Sequence, residues 1–159
     1  MNFCPVCGAA LGKRFVGGRQ RNACALPTCG FVRWNNPVPV AAAIVEADGE
    51  VVLVRNKGWP EKMFGLVTGF IEEGEAPHVA ALREVKEELG LSSEIANLVG
   101  AYAFEQANQL IVAYHVPAAG SITLGEELAE AKRVAIHKLK PWPFGTGPAV
   151  RDWLSRGTV

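Results

Sequence analysis

The sequence predicts an α/β sandwich preceded by a small cysteine-bearing ribbon, and three observations carry that reading. All four cysteines fall between Cys4 and Cys29. Beyond Asn35-Asn36-Pro37, β-rich runs surround a single strongly helical segment at 76–89. A second helix is expected near the end of the chain, over Gly147 to Arg156. The boundaries drawn from this pattern are 1–36 for the ribbon and 37–159 for the sandwich.

The ribbon is read from its cysteine spacing. Cys4-Pro5-Val6-Cys7-Gly8 forms a knuckle in which two thiolates reach one ion while backbone amides turn toward sulfur. Cys24 and Cys29 supply the second pair, with a wider gap filled by Ala25-Leu26-Pro27-Thr28. Two such pairs make a tetrahedral site for Zn2+. A closed four-thiolate site has no open coordination position, so this zinc is expected to be structural. Two disulfides are the alternative, and they suit an oxidising compartment. The start Met1-Asn2-Phe3-Cys4 does not read as a signal peptide and no apolar run matches a membrane span, so a cytoplasmic protein with no membrane partner is expected.

In the second part, Val38–Glu46 and Val51–Arg55 are β-rich and are joined by the turn signal Ala47-Asp48-Gly49-Glu50, which predicts a hairpin. Leu66-Val67-Thr68 reads as a short strand. Ile95–Glu105 and Leu110–Val116 read as two more, and Val134-Ala135-Ile136 as a last short one. The helix at 76–89 has Pro77 in its first turn and Gly90 as its stop.

Composition sets the remaining bounds. A hydrophobic share of 49% and a charged share of 20% suit a soluble globular chain. Net charge is zero, but Lys13, Arg14, Arg19, Arg21 and Arg33 face no Asp or Glu within residues 1–45. The rest holds 11 basic and 16 acidic side chains. Five spread cations make no dense stripe, and four metal-bound thiolates account for part of them, so no nucleic-acid partner is expected.

The chemistry is concentrated between Gly69 and Leu91. Glu84, Glu87 and Glu88 are spaced three and four apart and share one helical face, where like charges repel. A hard divalent cation, Mg2+ or Mn2+, is the natural counter-charge for oxygen-only ligands. Ala80, Ala81, Leu82, Val85 and Leu89 form an apolar stripe that buries part of the same helix.

Gly69, Glu75, Arg83, Glu84, Val85, Glu87, Glu88, Gly90 and Leu91 fill every specified place of G-x5-E-x7-R-E-U-x-E-E-x-G-U, where U is a bulky aliphatic. The chain therefore resembles the Nudix hydrolases. The resemblance implies an α/β/α sandwich over about 37–156 and hydrolysis of the pyrophosphate in a nucleoside diphosphate linked to another group. It implies Glu84, Glu87 and Glu88 as catalytic metal ligands aided by the Gly69 carbonyl, with Arg83 orienting them and Glu75 tying loop to helix. A ribbon ahead of such a domain is similar to the NADH, ADP-ribose and FAD pyrophosphatases, and a homodimer is what that likeness suggests.

The resemblance also implies a substrate-holding element shortly after the motif, and at that place stands Tyr102–Gln109, which lacks the NADH-pyrophosphatase string but keeps an aromatic and amides, with Phe104 expected to stack a base and Gln106 and Asn108 to hydrogen-bond it. Glu127, in the late acidic segment Gly125-Glu126-Glu127-Leu128, falls where the resemblance implies a further carboxylate, which makes it a candidate general base or ligand, with Glu105, Glu126 and Glu130 as competitors and a solvated acidic turn as the alternative. Pro141-Trp142-Pro143-Phe144 looks like an NADH-pyrophosphatase string but lies far too late after Leu91, and it reads as a loop entering the last helix; Trp34, Trp59, Phe104 and Trp142 are aromatics that could stack an adenine or serve core and turn packing. The function expected is release of AMP and a phosphorylated product from an ADP-ribose, NADH or FAD type of substrate. A nucleotide-sensing or nucleic-acid-binding module on the same fold, without turnover, is the alternative, and removal of a nucleotide cap from RNA by the same chemistry is a third reading that the basic ribbon allows without arguing for it.

Overall fold

Val40, Ala41, Ala42, Ala43, Ile44 and Val45 are all buried, a run that suits a strand covered on both faces. In the computed structural model, which describes residues 1–157, they form the middle of β4 (Val38–Ala47). The chain divides into two compact units, Met1–Asn36 and the residues from Pro37 onward.

The first unit is a three-stranded antiparallel sheet of β1 (Leu11–Val16), β2 (Arg19–Cys24) and β3 (Val32–Arg33). These strands were not foreseen, since Lys, Arg, Asn and Gln dominate them and leave little apolar alternation.

The second unit is built on a six-stranded mixed sheet. Its path runs β7 (Asn97–Phe104), β8 (Gln109–Pro117), β4, β5 (Glu50–Asn56), β9 (Leu128–Ala135), and β6 (Val67–Phe70) also pairs with β4. β4 and β5 form the expected hairpin. Asp48 and Gly49 both have positive φ at its tip, as a tight primed turn requires. One edge of β4 is shared: residues 45–47 pair with β5, and Val40–Ala43 pair with β6. Its other edge pairs in parallel with β8.

The helices cover opposite faces. Helix α1 (Pro77–Leu89) packs Ala80, Ala81, Val85 and Leu89 against Ala41, Ala43 and Val45. Helix α2 (Gly147–Ser155) packs Ala149, Val150 and Trp153 in the cluster that holds Val40, Ala42 and Ile44. Alternate β4 side chains thus serve two cores, which gives the α/β/α sandwich. Pro77 opens α1 and Gly90 closes it in the left-handed region. No helix among the described residues is long and apolar enough to cross a membrane.

One strand departs from expectation. The last strand spans Leu128–Ala135 rather than 134–136, and Ile136–Lys138 form a 3-10 turn. Its Ala, Glu, Lys and Arg are weak strand formers. They suit an edge strand, where charge discourages further pairing.

Leu89 is fully buried at the end of α1. Leu89→Ala is expected to lower unfolding free energy by about 2–5 kcal/mol, measured by urea titration followed by tryptophan fluorescence.

Candidate active site

A cavity of about 660 Å³ opens between β6, the second half of α1, the segment at 125–127 and the loop that enters α2. Gly69, Arg83, Glu84, Glu87, Glu88 and Glu127 all line it, together with Glu72 and Glu126.

Arg83 organises the acidic wall. Its Nε donates to Glu75 Oε1 at 2.8 Å and its Nη2 to Glu75 Oε2 at 2.9 Å. Nη2 also donates to the Phe70 carbonyl at 3.0 Å. Nη1 reaches Glu84 Oε1 at 2.6 Å and Glu87 Oε2 at 3.1 Å. Glu75 in turn accepts from the Glu72 N–H at 3.1 Å, so the loop closes on itself. The Arg83 guanidinium and that N–H hold the Glu75 carboxyl down at about 2.

Glu84 and Glu88 behave in the opposite sense. Burial, opposed by Arg83, raises the Glu84 carboxyl above its ordinary value. Burial pushes Glu88 up to about 8, and the charges of Glu84, Glu127 and Glu87 add to it. Glu88 is 7% exposed, and its Oε2 is buried without a hydrogen-bond partner among the described residues. An orphaned buried carboxylate oxygen beside three further carboxylates is costly unless a cation shares the space.

Two glycines create the closeness. A Cβ on Gly69 would fall inside the Glu84 carboxylate, so glycine there lets Glu84 lie against the backbone of β6. A Cβ on Gly125 would meet the Glu87 carbonyl oxygen at 2.6 Å and Glu88 Cα at 3.1 Å. The Gly125 N–H donates to the Glu88 carbonyl at 2.8 Å, and the Thr123 N–H to the Leu89 carbonyl at 2.9 Å. The loop therefore satisfies carbonyls that the end of α1 leaves unpaired. The same docking sets Glu126 and Glu127 beside the helix acids.

The other wall is aromatic: Trp59, Phe64, Phe104, Trp142 and Phe144 line it, with Gln109 and Thr146. Phe104 is where the sequence reading puts a stacking residue. Gln106 and Asn108 are not on this wall. Glu105–Ala107 form a 3-10 turn that leaves Gln106 exposed, and Asn108 closes that turn in the left-handed region. Gln109, the next residue, lines the cavity instead. Trp142, one of the aromatics the sequence offers for stacking an adenine, and Phe144 line the cavity from the segment that leads into α2. Sequence separation from Leu91 hid Phe144, because the sheet brings the far end of the chain back to the cavity. His115 lies elsewhere, paired with Glu46 Oε2 at 2.7 Å.

In the first unit the four cysteine sulfurs lie within 4.8 Å of one another. Cys4 and Cys29 sulfurs are 3.7 Å apart and Cys7 and Cys24 sulfurs 3.5 Å. A tetrahedral zinc with its ordinary sulfur distance spaces sulfurs by about 3.8 Å, whereas a disulfide needs about 2.05 Å. The donor set fits Zn2+. The wide second knuckle is accommodated by a turn in which the Cys29 N–H donates to the Leu26 carbonyl. Burial pushes the Cys4 thiol up, but the Val6 and Cys7 N–H groups and the neighbouring sulfurs outweigh it and hold it at about 7.

A NUDIX domain profile matches residues 35–153. The chain belongs to the Nudix family. It is similar to the NAD-capped RNA hydrolase NudC of Mycobacterium bovis, at 34% identity over 90 residues, 56% of this chain and 29% of that protein. NudC of Pseudomonas putida is 25% identical over 145 residues, 90% of this chain and 51% of that protein. The chain thus spans about half or less of the length of these curated relatives. Among solved structures, a Nudix hydrolase from Nitrosomonas europaea superposes with a TM-score of 0.74 at 25% identity, covering 87% of this chain and 80% of the other. The Nudix fold explains the layers, and the acid-lined cavity is where its glycine-to-leucine motif lies.

Because the Glu75 carboxyl is depressed when folded, the stability it contributes is present above its unfolded value of about 4.3. That contribution is lost as pH falls through that value toward about 2. Glu75→Gln is therefore expected to be less stable than wild type at neutral pH. The gap should close between about pH 5 and pH 2, measured as thermal midpoints of both proteins across that range.

Proposed function

We propose that this protein is a metal-dependent Nudix pyrophosphohydrolase. Its substrate would be a nucleoside diphosphate linked to a second group, of the ADP-ribose, NADH or FAD type, and its products AMP and a phosphorylated remainder. The observation that carries this reading is the buried, unpartnered Glu88 oxygen among Glu84, Glu87 and Glu127, beside the Gly69 cradle. Glu84, Glu87 and Glu88, with the Gly69 carbonyl, would hold Mg2+ or Mn2+. When bound, such an ion neutralises phosphoryl oxygens and acidifies a coordinated water.

The chain's own residues do the rest. Arg83 keeps Glu84 and Glu87 turned into the cavity while Glu75 and the Phe70 carbonyl fix the guanidinium. Glu127 takes the proton from the water that attacks one phosphorus as the bridging P–O bond breaks. Trp142, Phe144 and Phe104 stack the base, and Gln109 and Thr146 offer it hydrogen bonds. The similarity to two proteins named NAD-capped RNA hydrolases supports the adenine-dinucleotide end of the substrate range. Structural zinc in the first unit is part of the same proposal. A binder without turnover has no need for so costly a carboxylate cluster.

Hydrolysis of ADP-ribose, NADH, NAD, FAD and a nucleoside triphosphate is to be followed with Mg2+ and with Mn2+. Glu127→Gln is expected to lower kcat by about 10²–10⁴ with little change in KM. Glu88→Gln should remove most activity while leaving thermal stability equal or higher, since a buried like-charge is gone. Turnover surviving both Glu87→Gln and Glu88→Gln would sink the assignment. Trp142→Ala is expected to raise KM for adenosine substrates by about tenfold, the size of one stacking contact, with kcat affected less.

A further inference from the structure

The first unit carries charge that the hydrolytic reading leaves unused. Lys13, Arg14, Arg19, Arg21 and Arg33 meet no Asp or Glu within residues 1–45. Four thiolates around Zn2+ would cancel two of these charges and leave an excess of about three.

Scattered along the chain, the cations are sorted by the sheet. Lys13 lies opposite Asn22, and Asn22 opposite Arg33, so these three form one row across β1, β2 and β3. Phe15 and Gln20 are directly paired two residues further along, on the same face. Phe15 is 75% exposed. Arg14, Arg19 and Arg21 fall on the opposite face. There Arg21 is already engaged, donating to the Val16 and Trp34 carbonyls and lying over the Trp34 ring at 4.8 Å.

We propose that the face formed by Lys13, Phe15, Gln20, Asn22 and Arg33 binds single-stranded RNA. Charge complementarity assigns phosphates to Lys13 and Arg33 at the two ends of the row. The exposed Phe15 ring is a platform for an unstacked base. The Gln20 and Asn22 amides both donate and accept, which suits base edges and the 2′-hydroxyl of RNA. An anionic lipid surface would satisfy the cations but has no use for the amide row. None of these five residues lines the acid-lined cavity, and the ligand of this face is read by binding alone.

The test is fluorescence anisotropy of the full chain with a labelled single-stranded RNA of about 12 nucleotides, a DNA of the same sequence, and phosphatidylserine vesicles. Saturable RNA binding that weakens from about 50 to 200 mM salt is expected. Phe15→Ala should weaken it about fivefold or more, and Phe15→Trp should restore it. Lys13→Glu with Arg33→Glu should weaken it further and flatten the salt dependence. Unchanged zinc content identifies folded variants. Hydrolysis of ADP-ribose, assayed separately, is expected to be unaffected, and its absence in wild type would fault the hydrolase reading alone. No RNA binding by wild type, affinity indifferent to all these substitutions, equal binding of the DNA, or capture by vesicles in its place each overturns the proposal.

Discussion

The Arg83 guanidinium is the interaction on which the acid-lined cavity depends. It meets Glu75 through two parallel hydrogen bonds, Glu84 and Glu87 through one nitrogen, and the Phe70 carbonyl through another. Only a planar fork with five donors serves so many acceptors at once, and a lysine ammonium in its place would not. Glu75 and Glu84 are mostly buried in this arrangement while Glu87 stays 58% exposed. The network therefore combines shielded contacts, which are strong, with a rim contact that salt would screen. Without Arg83, the loop at 70–75 and the acids of α1 would have no common anchor.

Close backbone approach does the complementary work. Gly69 admits Glu84 against β6, and Gly125 admits a loop against the last turn of α1. That loop serves two ends, capping helix carbonyls and delivering Glu126 and Glu127. The Lys57 N–H donates to the Glu127 carbonyl at 2.9 Å, so the acidic segment is also tied to the end of β5. The acidic segment is thus positioned by backbone hydrogen bonds rather than through its carboxylates.

Much of this was legible in the residues. Glu75, Arg83, Glu84, Glu87 and Glu88 lie close in sequence, and helical periodicity alone puts three of them on one face. The hairpin at Asp48-Gly49 and the ends of α1 at Pro77 and Gly90 follow from local chemistry. What eluded the sequence depends on tertiary return. Phe144 reaches the cavity beside Trp142 only because α2 packs back on the sheet, and Gly147 presses on the Trp142 backbone. Gln106 and Asn108 were displaced by a single 3-10 turn, which shifts the residue facing inward to Gln109. The strand at 128–135 was hidden because its charged residues serve an edge, where propensity says little.

The sharing of β4 has a consequence for how the protein comes to be folded. β4 meets β5 through a tight turn, but its parallel partner β8 arrives only after β6, α1 and β7 have been passed. Such distant pairing costs loop-closure entropy before it is rewarded. Until then the apolar run from Val40 to Val45 has an open edge, the kind of segment on which nascent chains stick to one another.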